Sequence, residues 1–390
     1  GNSIASGGNY NVTVGDEAGT ALTTGDANVA IGYAALDALD TGINNTTVGW
    51  SSGGALTQGT RNTAIGYASL DADTLGSKST ALGYSALGAQ NFTSATDSFN
   101  VAVGHEAGGA VTTGTNNVLI GALAGDALTD TDYNVAVGTE ALSTDTLGNR
   151  SVAIGRKALF TQNFTTATSA YNTAVGYNAG VLITTGIRNV IVGGLAGDAL
   201  TDADDNIAIG NLALSSDTLG SNSVAVGHQA LATQNFTTAT DVYNVAMGYS
   251  AGVAITTGIR NTLIGGGAGD ALTDADSNVA IGYLSLTTDT LGSRAVAVGQ
   301  GALFSQNFTT ATNSYNTAVG YEAGGAVTTG VNNTIIGGLA GDALTDGDNN
   351  VALGTNALGT ETRADRNVAV GSHALATQNI GTDTDTYNTA

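Results

Sequence analysis

The stretch Asn28-Val29-Ala30-Ile31-Gly32-Tyr33-Ala34-Ala35-Leu36-Asp37-Ala38-Leu39-Asp40-Thr41-Gly42-Ile43-Asn44 decides the fold, because the chain repeats it along nearly its whole length. Its five-residue head, Asn-(Val/Thr)-x-(Ile/Val/Leu)-Gly with small variations, restarts at Asn45, Asn62 and Ser79, and then at Asn100. The intervals are 17, 17, 17 and 21 residues, a super-repeat of 72. Five such super-repeats fill residues 28–387, with heads at Asn28, Asn100, Asn172, Asn244 and Asn316. Residues 1–27 read as lead-in rungs, and 388–390 begin a further rung. Self-similarity at a short fixed period is the mark of a solenoid, in which each repeat buries its apolar face only against its neighbours. Because neither end looks capped, the expectation is a piece of a longer protein with more rungs or other domains on both sides.

A unit of 17 residues is too short for two packed helices. The head is a β-type run, with branched residues at alternate places and turn residues on either side. Val29 and Ile31 share one face of it and Ala30 takes the other; with both faces apolar, the strand is expected to be buried on both sides. Tyr33-Ala34-Ala35-Leu36 reads as a second short strand, and Leu39-Asp40-Thr41-Gly42 as a polar turn. The fold class is therefore all-β: a single-chain parallel β-solenoid with rungs of 17, 17, 17 and 21 residues. Roughly 21 rungs about 4.8 Å apart would make a rod on the order of 100 Å long.

The head's last residue is glycine in every complete copy, including Gly32, Gly104, Gly176 and Gly248. A bend with positive φ, or a close backbone approach, would require this. The first residue, at Asn28, Asn100, Asn172 and Asn244 among others, is expected to stack into a ladder of amide hydrogen bonds. The alternative role for it is that of a turn residue.

Composition agrees with thin regular layers. The 390 residues include 57 glycines, no proline and no cysteine, and hydrophobic residues reach 42% while aromatics are only 5%. Proline would remove a ladder donor in every stack. The lack of cysteine excludes disulfides and thiolate chemistry. Ten Lys+Arg against 32 Asp+Glu give a formal net charge of -22, which argues against nucleic acid and anionic membranes as partners. No run of about 18 apolar residues suggests a transmembrane helix.

Asn62-Thr63-Ala64-Ile65-Gly66-Tyr67-Ala68-Ser69-Leu70 and Asn172-Thr173-Ala174-Val175-Gly176-Tyr177-Asn178-Ala179-Gly180 resemble the repeats of bacteriophage tail fibres. Ser151-Val152-Ala153-Ile154-Gly155 and Ser223-Val224-Ala225-Val226-Gly227 are similar to rungs of trimeric autotransporter adhesin heads, which are left-handed parallel β-rolls. The resemblance covers essentially the whole chain and implies a homotrimeric rod. In that assembly one strand face would fill the chain's own core and the other would meet its neighbours. Adhesin heads commonly have shorter rungs, which favours the phage side. Chaperone domain, membrane anchor and coiled-coil stalk are all missing from the stretch.

Three periodic features are candidates for chemistry or recognition. The 21-residue rungs carry an insertion whose aromatic recurs as Phe92, Phe164, Phe236 and Phe308, with Ile380 in the last copy. It either protrudes to stack on a sugar ring or contact another chain, or, as the sequence favours, folds back over the core. Asn-x-Thr triplets at Asn91, Asn163, Asn235 and Asn307 arise cheaply in so Thr-rich a chain.

Acidic trios recur in a Gly-Asp-Ala-Leu-Thr-Asp-x-Asp frame: Asp126, Asp130 and Asp132; Asp198, Asp202 and Asp204; Asp270, Asp274 and Asp276; Asp342, Asp346 and Asp348. Their oxygens suit Ca²⁺, which takes six to eight such ligands. The spacing nevertheless lacks the glycine and distal Glu of an EF-hand loop. The first super-repeat has Gly54, Gln58 and Thr60 at these places, so solvated turn acids are the favoured reading and no cofactor is expected.

The basic residues Arg61, Lys78, Arg150, Arg188, Arg260, Arg294 and Arg366 each precede a head, as turn charges or cross-chain ion pairs. His105, His228 and His373 have no fixed partner, and no nucleophile, base and acid converge. The functional expectation is a non-enzymatic fibre shaft in a virion, with other fibre or virion proteins at its ends and a cell-surface glycan or protein as receptor. The alternative is a bacterial surface adhesin or extracellular filament. An ice-binding solenoid would need a regular Thr-x-Thr row, and a glycan-cleaving tailspike a unique acid pair; neither pattern stands out.

Overall fold

A computed structural model describes residues 7–382 and 384–390. The chain divides into two compact units, residues 1–194 and 195–390. Among the described residues there is no helix, and hence none long and apolar enough to cross a membrane. In the first unit, three-residue strands run from Val12–Val14 to Val190–Val192, one per rung. Each pairs in parallel and in register with the strand of the next rung. Val12 meets Val29, Val29 meets Thr46, and across the 21-residue interval Thr80 meets Val101. The second unit repeats the arrangement from Ile207–Ile209 to Val368–Val370.

The middle residue of each strand points inward. Ala30, Ala64, Ala102 and Ala136 are fully buried, as are Leu119 and Ile191. Six residues on from Ala30, Ala64 and Ala136 stand Leu36, Leu70 and Leu142, which are also fully buried. Where the centre enlarges to Leu119, glycine takes the facing places: a Cβ on Gly108 would lie 2.6 Å from Leu119 Cδ1, and one on Gly125 2.8 Å from its Cδ2. Leu119 thus fills the space left open by Gly108 in the rung before and by Gly125 in its own.

The strand faces differ from expectation. Only one face is covered by the chain itself; the outer residues are half-buried or exposed, with Ile31 37% and Leu82 42% accessible. The second strand expected at Tyr33–Leu36 is absent. Ala34 and Leu36 have φ of 51° and 50°, so the segment is a tight turn alternating right- and left-handed residues. A short apolar run reads as a strand, but here Ala34, Ala35 and Leu36 are buried one after another, which a turn allows and a strand does not.

Gly32 shows why the head ends in glycine. Its φ is 135°, and a Cβ there would sit 2.2 Å from the carbonyl oxygen of Gly49 one rung on. Gly104, Gly176 and Gly248 stand in the same relation to Gly121, Gly193 and Gly265.

The 21-residue rungs use their extra length in a second, shorter pairing. Gly76–Ser77 pairs in parallel with Thr96–Asp97, and Gly148–Asn149 with Thr168–Ser169. The second unit has Gly220–Ser221 with Thr240–Asp241 and Gly292–Ser293 with Thr312–Asn313.

Candidate functional site

The head asparagines form a buried ladder. Asn28 Oδ1 accepts from the backbone N–H of Asn45 at 2.9 Å and from its side-chain nitrogen at 3.1 Å, while Asn28 Nδ2 donates to Gly42 O at 2.9 Å. Each amide thus bonds to the next rung and also closes its own turn. The two roles weighed for this residue are performed together. Asn100, Asn172 and Asn244 accept in the same way from the N–H groups of Asn117, Asn189 and Asn261.

The ladder meets an obstacle at every fourth rung, where serine replaces asparagine in the first three super-repeats. There a buried carboxylate splices it. Asp73 is fully buried in the column that Leu39 and Leu56 occupy in the two preceding rungs. Its Oδ1 accepts from the N–H of Gly76 at 3.0 Å and of Phe92 at 3.2 Å; its Oδ2 accepts from Gln90 Nε2 at 2.6 Å. Gln90 also donates to Ser79 Oγ and accepts from Asn100 Nδ2, which re-enters the ladder. Asp145 with Gln162, Asp217 with Gln234 and Asp289 with Gln306 repeat the splice. Glu361 and Gln378 take the role in the fifth copy.

Burial raises the carboxyls of Asp73 and Asp145 above the usual range, against the lowering effect of these donors. Burial also pushes Glu361 up, but N–H donors from Ala364 and Arg363 and the Gln378 amide outweigh it, and its carboxyl is lowered. Sequence reasoning missed this group because Asp73 lies in a turn-like stretch of acids. The signal that could have found it is the column Leu39, Leu56, Asp73, Gln90, read down successive rungs.

The splice also positions the insertion aromatics. Phe92, Phe164, Phe236 and Phe308 are all buried, and each donates its N–H to the carboxylate of its own splice. They fold back over the core and offer no ring to a ligand. Ile380, in the last copy, is exposed.

The acidic trios are spread over separate tasks. Asp130 and Asp274 accept from the hydroxyls of Thr113 and Thr257 in the preceding rung. Asp132, Asp276 and Asp348 accept from the backbone N–H of Thr115, Ile259 and Val331. Asp204 N–H donates to Ser221 Oγ, Asp346 faces Arg363 at 3.5 Å, and Asp202 holds the place of Asp130 one super-repeat on. The first members, Asp126, Asp198, Asp270 and Asp342, stand apart on the turn after the head; burial raises Asp126, Asp198 and Asp342. Among the described residues, no three His, Cys, Asp or Glu side chains are grouped to hold a metal ion.

Two rows of side chains run along the surface. Tyr33, Trp50, Tyr67, Tyr84 and His105 stack in series, with centroids 5.9, 4.7, 5.1 and 5.0 Å apart. Ring faces in this row are occupied by one another, so it braces the rungs. Lys78, Arg150, Arg294 and Arg366 lie over the rings of Phe99, Tyr171, Tyr315 and Tyr387, which gives these cations partners within their own chain.

No protein-family model matches the chain, and no curated protein matches it. The functional reading therefore rests on the chain's own geometry and on the resemblance of its rungs.

Proposed function

We propose that this chain is the repetitive shaft of a homotrimeric fibre, most simply a bacteriophage tail fibre that holds an attachment tip away from its base. The observation that carries this reading is the uncovered outer face of the strands. In each unit the Ile31 column is apolar in every rung and half-exposed or exposed, beside a column in which Val29 gives way in places to threonines such as Thr46 and Thr63. Exposed Tyr33, Trp50, Tyr67 and Tyr84 flank it in the first unit. Monomeric soluble proteins rarely leave so continuous an apolar strip open to water. A symmetric assembly presents the same strip from every copy and buries it. The role is mechanical: backbone ladders resist extension, and the flank carboxylates keep a long β-structure soluble. Other fibre or virion proteins would join its ends, and a surface glycan or protein would be met at the tip. The same rungs would serve a bacterial surface adhesin, and the complete reading frame separates the two by a downstream chaperone domain or an outer-membrane anchor.

Light scattering coupled to size-exclusion chromatography tests the assembly. The expected mass is three times 38.3 kDa, and a stable monomer at micromolar concentration overturns the proposal.

A further inference from the structure

A cleft of about 420 Å³ opens on the second unit, lined by Tyr283, Leu284, Phe304, Ala326 and, among its polar residues, Glu322 and Asp342. Gln300 and Ser305 add neutral polar groups, and no basic residue is among the lining residues. The volume is in the range of small-ligand sites, which combine apolar walls with a few convergent polar groups.

Two carboxylates in one cleft without a cation leave negative charge to be matched. The walls decide which cation fits. Glu322, Asp342, Gln300 and Ser305 bring oxygens, but two aromatic rings, a leucine and an alanine make up much of the remaining wall. Such walls suit a cation with an apolar body rather than a hard divalent ion surrounded by six to eight oxygens. An organic cation on an aliphatic stem suits them: the stem lies against Leu284 and Ala326, and its charged end is attracted both by the carboxylates and by the ring faces. We propose that this cleft binds a primary alkylammonium group, carried either by a free amine or by a lysine side chain.

The repeat supplies an internal comparison. Three super-repeats earlier, 216 residues back, a cleft of about 300 Å³ in the first unit is lined by Ser85, Glu106, Gly109, Ala110 and Asp126. All five are the counterparts of residues lining the larger cleft, and the carboxylate pair is retained. Asp126 accepts from the Ser143 hydroxyl, while its buried Oδ1 has no hydrogen-bond partner. Ala68 and Gly88 stand where Leu284 and Phe304 stand in the second unit, so this cleft has the charge without the apolar walls. At the counterpart one super-repeat before the larger cleft, Ser250 replaces the glutamate and Asp270 accepts from the Thr287 hydroxyl, as Asp126 does from Ser143, whereas the residue at that place beside Asp342 is Gly359. There the remaining carboxylate is matched from within.

The test is calorimetric titration of the intact chain with pentane-1,5-diamine, Nα-acetyl-lysine amide and the uncharged Nα-acetyl-norleucine amide. Binding of one or both cations is expected, weakening about tenfold between low and high salt, with the norleucine compound at least tenfold weaker. Equal binding of both cations assigns the site to any alkylammonium group; preference for the diamine or for the lysine amide assigns it to free amines or to peptide side chains. Glu322→Gln with Asp342→Asn should lose about tenfold or more in affinity, and Phe304→Gly several-fold, toward the behaviour of the first cleft. Equal binding of the norleucine compound, no binding of either cation, or unchanged affinity in the double variant at an unchanged circular dichroism spectrum would overturn the proposal. Mass measured on the same samples keeps this result separate from the assembly state.

Discussion

Arg61 holds φ at 59°, and the residue immediately before each head has the same left-handed backbone whether it is Ala27, Asn44, Lys78, Tyr133 or Asp205. A second such column follows each head, ending in residues such as Leu36, Leu70 and Leu142 that alternate with glycines such as Gly53 and Gly108. None of these positions carries Val, Ile or Thr, although all three are common in the chain. Branching at Cβ makes the left-handed region more costly still, and even unbranched residues lose roughly 1–2 kcal/mol there. Arg61 is exposed, so its backbone can be probed with little loss of packing. Arg61→Val should destabilise the chain by about 1–2 kcal/mol, and Arg61→Gly should hold or raise stability by a few tenths. Denaturant titration of the two variants checks this; equal stability would show that the backbone angle is not the constraint. The forbidden residue types were visible in the sequence as empty columns. Ala34-Ala35-Leu36 looked like a strand because a short apolar run alone does not register a missing branched residue.

At the scale of the rung, sequence periodicity located every head strand, since a fixed interval leaves one in-register way to stack. It did not locate the splice, because a buried acid and a solvated turn acid have the same one-letter code. Asp145 shows the difference: it is fully buried and gathers the N–H groups of Gly148 and Phe164 and the amide of Gln162. Replacing it with the leucine of the rung before, Asp145→Leu, would strand three buried donors. Each unpartnered donor costs about 1–3 kcal/mol, with part of that recovered by relaxation and water. The expected loss is about 3 kcal/mol, confined to neighbouring rungs because a solenoid couples mainly to its nearest neighbours. Hydrogen exchange should therefore quicken at the Gly148 and Phe164 amides while the rungs around Ala30 keep their protection. Unchanged exchange at Phe164 would show that the carboxylate does not hold the insertion.

Across the whole chain the largest imbalance is one of charge: -22 overall, with acids recurring in every super-repeat. Sequence alone placed these acids on turns, and for the trios that is where they lie. What it could not rank is how much water each retains, since that depends on which rung folds over it. Among the described residues, burial raises the carboxyls of Asp37, Asp73, Asp126, Asp145, Asp198 and Asp342, while that of Glu361 is lowered. A carboxyl raised on folding binds its proton more tightly in the folded state. Its contribution to stability is full below the unfolded value near 4 and is lost as pH rises through the folded value. Glu361 acts oppositely, stabilising above its unfolded value and ceasing to do so as pH falls through its lowered folded one. With burial raising these carboxyls, and with self-repulsion easing as carboxylates protonate, the midpoint of thermal unfolding should rise as pH falls from 7 toward about 4. Calorimetry at fixed ionic strength measures it, and Asp73→Asn should flatten the rise in part. A midpoint that falls steadily over this interval would mean that carboxylates held low by their partners outweigh those raised by burial, and that the acids of this chain act as anchors in their charged form.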